Sequence, residues 1–196
     1  MKESAVNKKE KIKQGQQRWV VTVVFLSFGL SIFMSLLTSL FVESAGLFVA
    51  LLSLIILVTL GIVTDMIGTA VTAAVEQPFI AMASKRIAGA KQALRLIRMA
   101  ERVSSLLNDV VGDIVGIVSG SAGSVIALYL VSALGMPGTL ASVLITAFTS
   151  AFMIGGKACG KSFAIENSSK IVLYVGKAMA VFESKKEKKK QMKKKT

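Results

Sequence analysis

The sequence predicts an all-α, polytopic membrane protein with four transmembrane helices and a cytoplasmic juxtamembrane amphipathic helical hairpin. Two observations carry that prediction. Fifty-three per cent of the 196 residues are hydrophobic, yet the formal net charge is +13. The two properties are also segregated: long uncharged stretches alternate with basic blocks, the pattern of a chain that crosses a bilayer several times. A mean hydropathy of +0.66 agrees. Histidine is absent and Cys159 is the single cysteine. That excludes His-ligated zinc or haem, a His-based catalytic triad, an internal disulfide and a cysteine metal cluster.

Residues 1–18 form a basic segment, with Lys8, Lys9, Lys11, Lys13 and Arg18 outweighing Glu3 and Glu10. No charge then occurs from Trp19 to Val42. A helix of that length reaches about 36 Å, enough to cross roughly 30 Å of hydrocarbon with some tilt. It is too long for the apolar core of a cleaved signal peptide, which argues for a retained first span over 19–42. Glu43-Ser44-Ala45-Gly46 reads as a turn. The second span, 47–75, is too long for one straight crossing, so a bend is expected near Gly68, with Asp65 inside the membrane.

Glu76-Gln77-Pro78 breaks the pattern, and 76–105 reads as juxtamembrane helices. Within it, residues 84–105 read as one basic amphipathic helix: Lys91, Arg95, Arg98 and Arg102 recur on one face, as in an interfacial helix whose cations meet anionic lipid headgroups. A solvated hairpin is the other reading. The third span covers 108–134, Gly135-Met136-Pro137-Gly138 is a turn, and the fourth span covers 139–156. The transmembrane domain thus runs over 19–182, followed by a lysine-rich tail at 183–196. The basic blocks all fall on one side of this four-span topology, which puts both termini and the long middle loop in the cytoplasm of a plasma (inner) membrane protein.

Two rows of small residues at four-residue spacing, Ser27-Ser31-Ser35-Ser39 and Gly112-Gly116-Gly120-Ser124, suit close helix packing or a homodimer. The ionisable residues are more telling. Asp109 and Asp113 lie one turn apart on the third span, and Asp65 is expected at similar depth on the second. Intramembrane carboxylates are costly unless paired, protonated or coordinated, and by default suggest an ion pathway. Their hard oxygens suit magnesium, calcium or manganese, with Ser142, Thr146 and Thr149 as weaker hydroxyl donors on the fourth span. The alternative is that Asp109 and Asp113 lie at the headgroups and pair with Arg102 or Lys157. No enzyme chemistry is expected, since Cys159 has no candidate base and no phosphate loop is present. Nor is nucleic acid expected as a partner, because no aromatics interleave with the basic tail.

Four passages resemble the transmembrane domain of the CorB/CorC and cyclin M magnesium transporters. Gly68-Thr69-Ala70-Val71-Thr72 stands where that family has Ser-x-x-Glu-Thr-Ala-Leu. The run from Arg86 to Leu96 is similar to its juxtamembrane helices. Leu106 to Asp113 is similar to its Ile-Gly-Asn-x-x-x-Asn motif, and Gly156 to Asn167 to its Gly-Glu-Ile-x-Pro-Lys followed by Ala-x-x-Asn-Pro. The resemblance covers about residues 47 to 182 and rests on the order and spacing of the passages. It implies transport of a divalent cation, magnesium and by extension cobalt, through a site of intramembrane polar residues, in a dimer.

The departures bear on that site. The family's Ser and Glu become Asp65 and Gly68, its Asn pair becomes Asp109 and Asp113, its motif Glu becomes Lys157 and its Pro becomes Gly160. Two outcomes follow. Asp65, Asp109 and Asp113 hold a cation with Lys157 turned away, or Lys157 is their counter-ion and the network is structural, as in a non-transporting scaffold or regulatory subunit. The nucleotide-binding CBS region that follows in the family has no counterpart here, so regulation would fall to a separate chain. The first span is additional to the family's three-span core.

Overall fold

The computed structural model describes residues 19–33, 35–36 and 46–193, with side chains up to residue 183. All its regular elements are helices. They are α1 (Trp19–Phe33), α2 (Gly46–Ala73), α3 (Glu76–Ser84), α4 (Ala90–Arg98), α5 (Ala100–Ser104), α6 (Gly112–Leu134), α7 (Gly138–Glu166) and α8 (Ser168–Lys193). A π-helical turn, Ser105–Val111, joins α5 to α6, so Ala100–Leu134 runs as one long rod.

Three helices are long and apolar enough to cross a membrane: α2, the α5–α6 rod and α7. At 28, 35 and 29 residues they exceed the roughly 20 needed for a crossing. Their outward faces carry large apolar side chains, including Phe48, Ile55, Phe148 and Phe152, which water would penalise and lipid accepts. The described part of the first expected span, Trp19–Phe33, is apolar but shorter than a crossing requires. Residues 34 and 37–42 of that span, Ser39 among them, the turn residues 43–45, the basic segment 1–18 and residues 194–196 lie outside the described residues.

The three long helices each pack on the other two, α6 antiparallel to α2 and α7. The tight turn between α6 and α7 is the one read from sequence. Gly135 closes α6 in the left-handed conformation, and its N–H donates to the Val131 carbonyl at 3.0 Å. Pro137 then caps α7, which continues to Glu166, ten residues past the expected end at 156. The expected bend in the second span is not a break either, because α2 runs helically through Gly68 to Ala73.

Residues expected to form one amphipathic helix are divided. The loop after α3 holds Arg86 and Gly89 at positive φ, and α4 begins only at Ala90. Gly89 sits where α4 meets α8: a Cβ there would collide with the Lys177 backbone, and one on Gly176 would collide with Gly89 and Ala93. This crossing closes a core of Ala70, Val71, Phe79, Ala93, Ala164 and Val172, which ties α2, α3, α4, α7 and α8 together at the basic end of the bundle. A separate cluster of Val110, Ile114 and Val118 receives Val23 and Leu30 of α1.

The α4–α8 crossing gives a stability prediction. Gly89→Ala meets both a positive φ and the Lys177 backbone, and Gly176→Ala meets the Gly89 carbonyl. Each should destabilise the chain by about 1–3 kcal/mol in thermal unfolding in detergent. Gly155→Ala, whose Cβ would enter open space in the middle of α7, should leave the transition unchanged or raise it slightly.

Candidate functional site

The face of α2 that meets α6 is built from small residues around one charge. Gly61, Asp65 and Gly68 fall at i, i+4 and i+7, and all three are buried. A Cβ on Gly61 would touch Val115, and one on Gly68 would collide with the side-chain amide of Asn108. With the helices antiparallel, Asp65 therefore lies between those two contacts, about 28 Å along α2 from Gly46. Its residue surface is only 3% exposed.

Asn108 belongs to the π-helical turn and faces α2 on the same side of the rod as Gly112, Val115 and Ser119, which are buried. Its Nδ2 donates to the Ser104 hydroxyl at 3.2 Å. Its Oδ1 is buried without a hydrogen-bond donor, and so is Oδ2 of Asp65. Each of the two facing helices thus carries one buried acceptor oxygen with no hydrogen-bond donor, Asp65 Oδ2 on α2 and Asn108 Oδ1 on the rod. Leaving a buried polar atom unsatisfied costs about 1–3 kcal/mol, and more for a charge.

The third wall is α7. It approaches α2 through Gly156 and Gly160, where added Cβ atoms would run into Ile62 and Met66. That approach brings two lysines, one turn apart, to the site. Lys161 Nζ lies 3.7 Å from Asp65 Oδ2. Lys157 Nζ sits beside Gly112, 3.4 Å from where a Cβ would be. The Lys161 side chain is 51% exposed, so it reaches inward from the polar end of the bundle.

The three expected carboxylates are not brought together. Asp65 is buried, whereas Asp109 and Asp113 are exposed on the outer side of the rod. No group of three or more acidic or cysteine side chains able to hold a metal occurs among the described residues. The cause is one residue of register. The interface with α2 passes through Asn108 and Gly112, and the next residue in each case is turned by about 100°. The glycine row shows the same geometry: each four-residue step overshoots a full turn by about 40°, so Gly112 is buried while Gly120 and Ser124 are exposed.

The expected hydroxyl donors are also elsewhere. Ser142 and Thr146 are exposed on α7, about 22 and 16 Å along the helix from Lys157. The Thr149 hydroxyl donates to the Ile145 carbonyl at 2.8 Å. Thr149 also lines an apolar groove of about 740 Å³ between α2 and α7, with Leu51, Ile55, Phe148 and Phe152. Lys157, the expected counter-ion, makes no ion pair within 4 Å among the described residues; Lys161 occupies that role toward Asp65.

Lys91, Arg95, Arg98 and Arg102 are all exposed. Three of them engage protein groups. Arg95 pairs with Glu183 at 3.1 Å, and Arg98 with Glu76 at 2.8 Å. Arg102 lies 5.5 Å from the centroid of the Trp19 ring.

Sequence reasoning passed over Asn108 and Lys161. The signals were present: Asn108 is on the small-residue face one turn before Gly112, and Lys161 is one turn after Lys157. The adjacent aspartates and the motif position of Lys157 drew attention away from them. Compared with protein-family models, curated proteins and solved structures, the chain gives no match in any of the three.

The contact between Gly68 and Asn108 can be tested by a double-mutant cycle. Gly68→Ala should cost about 1–3 kcal/mol of thermal stability by displacing the amide. Asn108→Ala in the same chain should recover most of that loss, giving a coupling of at least about 0.5 kcal/mol. Additive losses would mean the two residues do not share the space.

Proposed function

We propose that this chain is a CorB/CorC-like membrane protein that carries a divalent cation, magnesium in the first instance and cobalt by extension. In this reading the cation is bound between Asp65 and Asn108. The observation that supports it is the pair of buried oxygens, Asp65 Oδ2 and Asn108 Oδ1, on two helices and without donors. A carboxylate and an amide carbonyl are hard ligands. Magnesium is commonly held by only one or two carboxylates and keeps several of its waters, so a small ligand set is sufficient. Asp109 and Asp113 have no part in this site. They stand exposed on the outward side of the rod, and the reading includes a homodimer.

The same reading puts the basic end of the bundle at the cytoplasmic face of a plasma membrane, with both termini inside and the exposed cations of α4 and α5 near anionic headgroups.

A second reading is favoured by a different observation, the Lys161–Asp65 pair at 3.7 Å. There the ion pair is structural and the chain is a non-transporting scaffold or regulatory subunit.

Reconstitution of the full chain into liposomes with a trapped magnesium indicator separates the two. The carrier predicts magnesium flux that falls at least about ten-fold in Asp65→Asn and Asn108→Ala, with the fold retained, and persists in Asp109→Asn and Asp113→Asn. The scaffold predicts no flux in the wild type and loss of folding in Asp65→Asn.

A further inference from the structure

We propose that Lys161 is a tethered cation that occupies the Asp65 site when no ion is bound and is displaced when one enters. The proposal rests on the cation-binding reading of Asp65 and Asn108 and adds how that site is regulated.

Three features of the contact carry it. First, the separation is 3.7 Å, beyond the 2.7–3.2 Å of an N–H···O hydrogen bond, and Asp65 Oδ2 has no other donor. The lysine therefore neutralises the carboxylate without saturating it. A structural pair gains most from close geometry with further hydrogen bonds on the buried oxygen, and this contact has neither. Second, the partners differ in burial. The Asp65 side chain is 5% exposed and that of Lys161 51%. The ammonium is a hydrated point charge on a flexible four-carbon stem, so it can withdraw to the polar end while the carboxylate stays. Third, the carboxylate is held in place. Gly160 packs against Met66 and Gly68 against Asn108, so α2 meets both neighbouring helices closely around Asp65 while the lysine stem is free to move.

Competition for Asp65 follows. In the empty protein Lys161 supplies the countercharge, so Asp65 is not left bare among apolar helices. An incoming divalent cation would bring twice the charge and its own waters, with Asp65 Oδ2 and Asn108 Oδ1 as the protein oxygens to hold it, and would repel the ammonium outward. Return of Lys161 then assists release. Lys157, one turn deeper beside Gly112, adds to the repulsion and marks the inner limit of the site. Because the competitor is part of the chain, its effective concentration is fixed, and apparent affinity falls by the fraction of time that it occupies the site.

The test uses the purified full chain in detergent with Mn2+ alone as the probe, titrated by electron paramagnetic resonance. Lys161→Gln should bind Mn2+ about ten-fold or more tightly than wild type, Lys161→Arg should return to wild-type affinity or weaker, and Asp65→Asn should abolish saturable binding. In the wild type, Mn2+ should raise the rate at which an amine-acylating reagent modifies Lys161, read by mass spectrometry. That second measurement does not depend on the variant folding. Asp65-dependent Mn2+ binding that is unchanged or weaker in Lys161→Gln would overturn the competitor role and leave the cation site standing, as would slower acylation with Mn2+. Absence of saturable Mn2+ binding in both wild type and Lys161→Gln would overturn the cation reading itself.

Discussion

A carboxylate enclosed by apolar helices has to be compensated, and Asp65 is enclosed by three. Its position is a consequence of close helix approach. Gly61 and Gly68 let the α5–α6 rod lie against α2, while Gly156 and Gly160 let α7 do the same. A side chain at any of these positions would have to displace Val115, Asn108, Ile62 or Met66 from the contact. The small residues and the aspartate therefore belong to one arrangement, in which tight packing creates a dry region and the charge in it sets a demand for a cation.

The surroundings meet that demand only in part. Lys161 stands near Asp65 but outside hydrogen-bond range, and the Asn108 side-chain carbonyl oxygen, packed against Gly68, has no donor. Such a site differs from a settled structural ion pair, whose oxygens would be saturated. The π-helical turn contributes here. An inserted residue in a helix widens it locally and re-aims side chains, and such turns occur frequently at functional sites. In this chain the turn carries Asn108, and beyond it the α6 face toward α2 resumes through Gly112, Val115 and Ser119.

The basic end of the bundle is organised by protein contacts. The Gly89–Gly176 crossing seats α4 on α8, and the Arg95–Glu183 and Arg98–Glu76 pairs bridge α4 to α8 and α3. These pairs are exposed and contribute little stability. The core of Phe79, Val71 and Val172 beneath them does the holding. It lies where α2, α4 and α8 meet, so the helices bearing Asp65 and Lys161 end in a common packed base.

Much of the architecture was legible in the residues. Uncharged runs and their lengths identify α2, α6 and α7, because apolar length has a direct physical meaning in a bilayer. The Gly-Met-Pro-Gly turn was readable because positive φ and a fixed proline φ belong to particular residues. The interruption after α2 was readable too, but it falls at Ala74-Val75, and Glu76-Gln77-Pro78 form the first turn of α3. The candidate site was legible in one residue, Asp65, whose charge within an apolar run stands out without any structure. Its partners were not. Whether Asn108 or Asp109 faces α2 depends on about 100° of helix rotation, set by which small residues interlock with Gly61 and Gly68. Whether Lys157 or Lys161 reaches Asp65 depends on the axial offset of α7, set by Gly156 and Gly160 against Ile62 and Met66. Composition and hydropathy determine that a helix is buried in lipid and how long it is. Rotation and offset between helices come from side-chain interlock over several segments at once, and only the assembled bundle decides them.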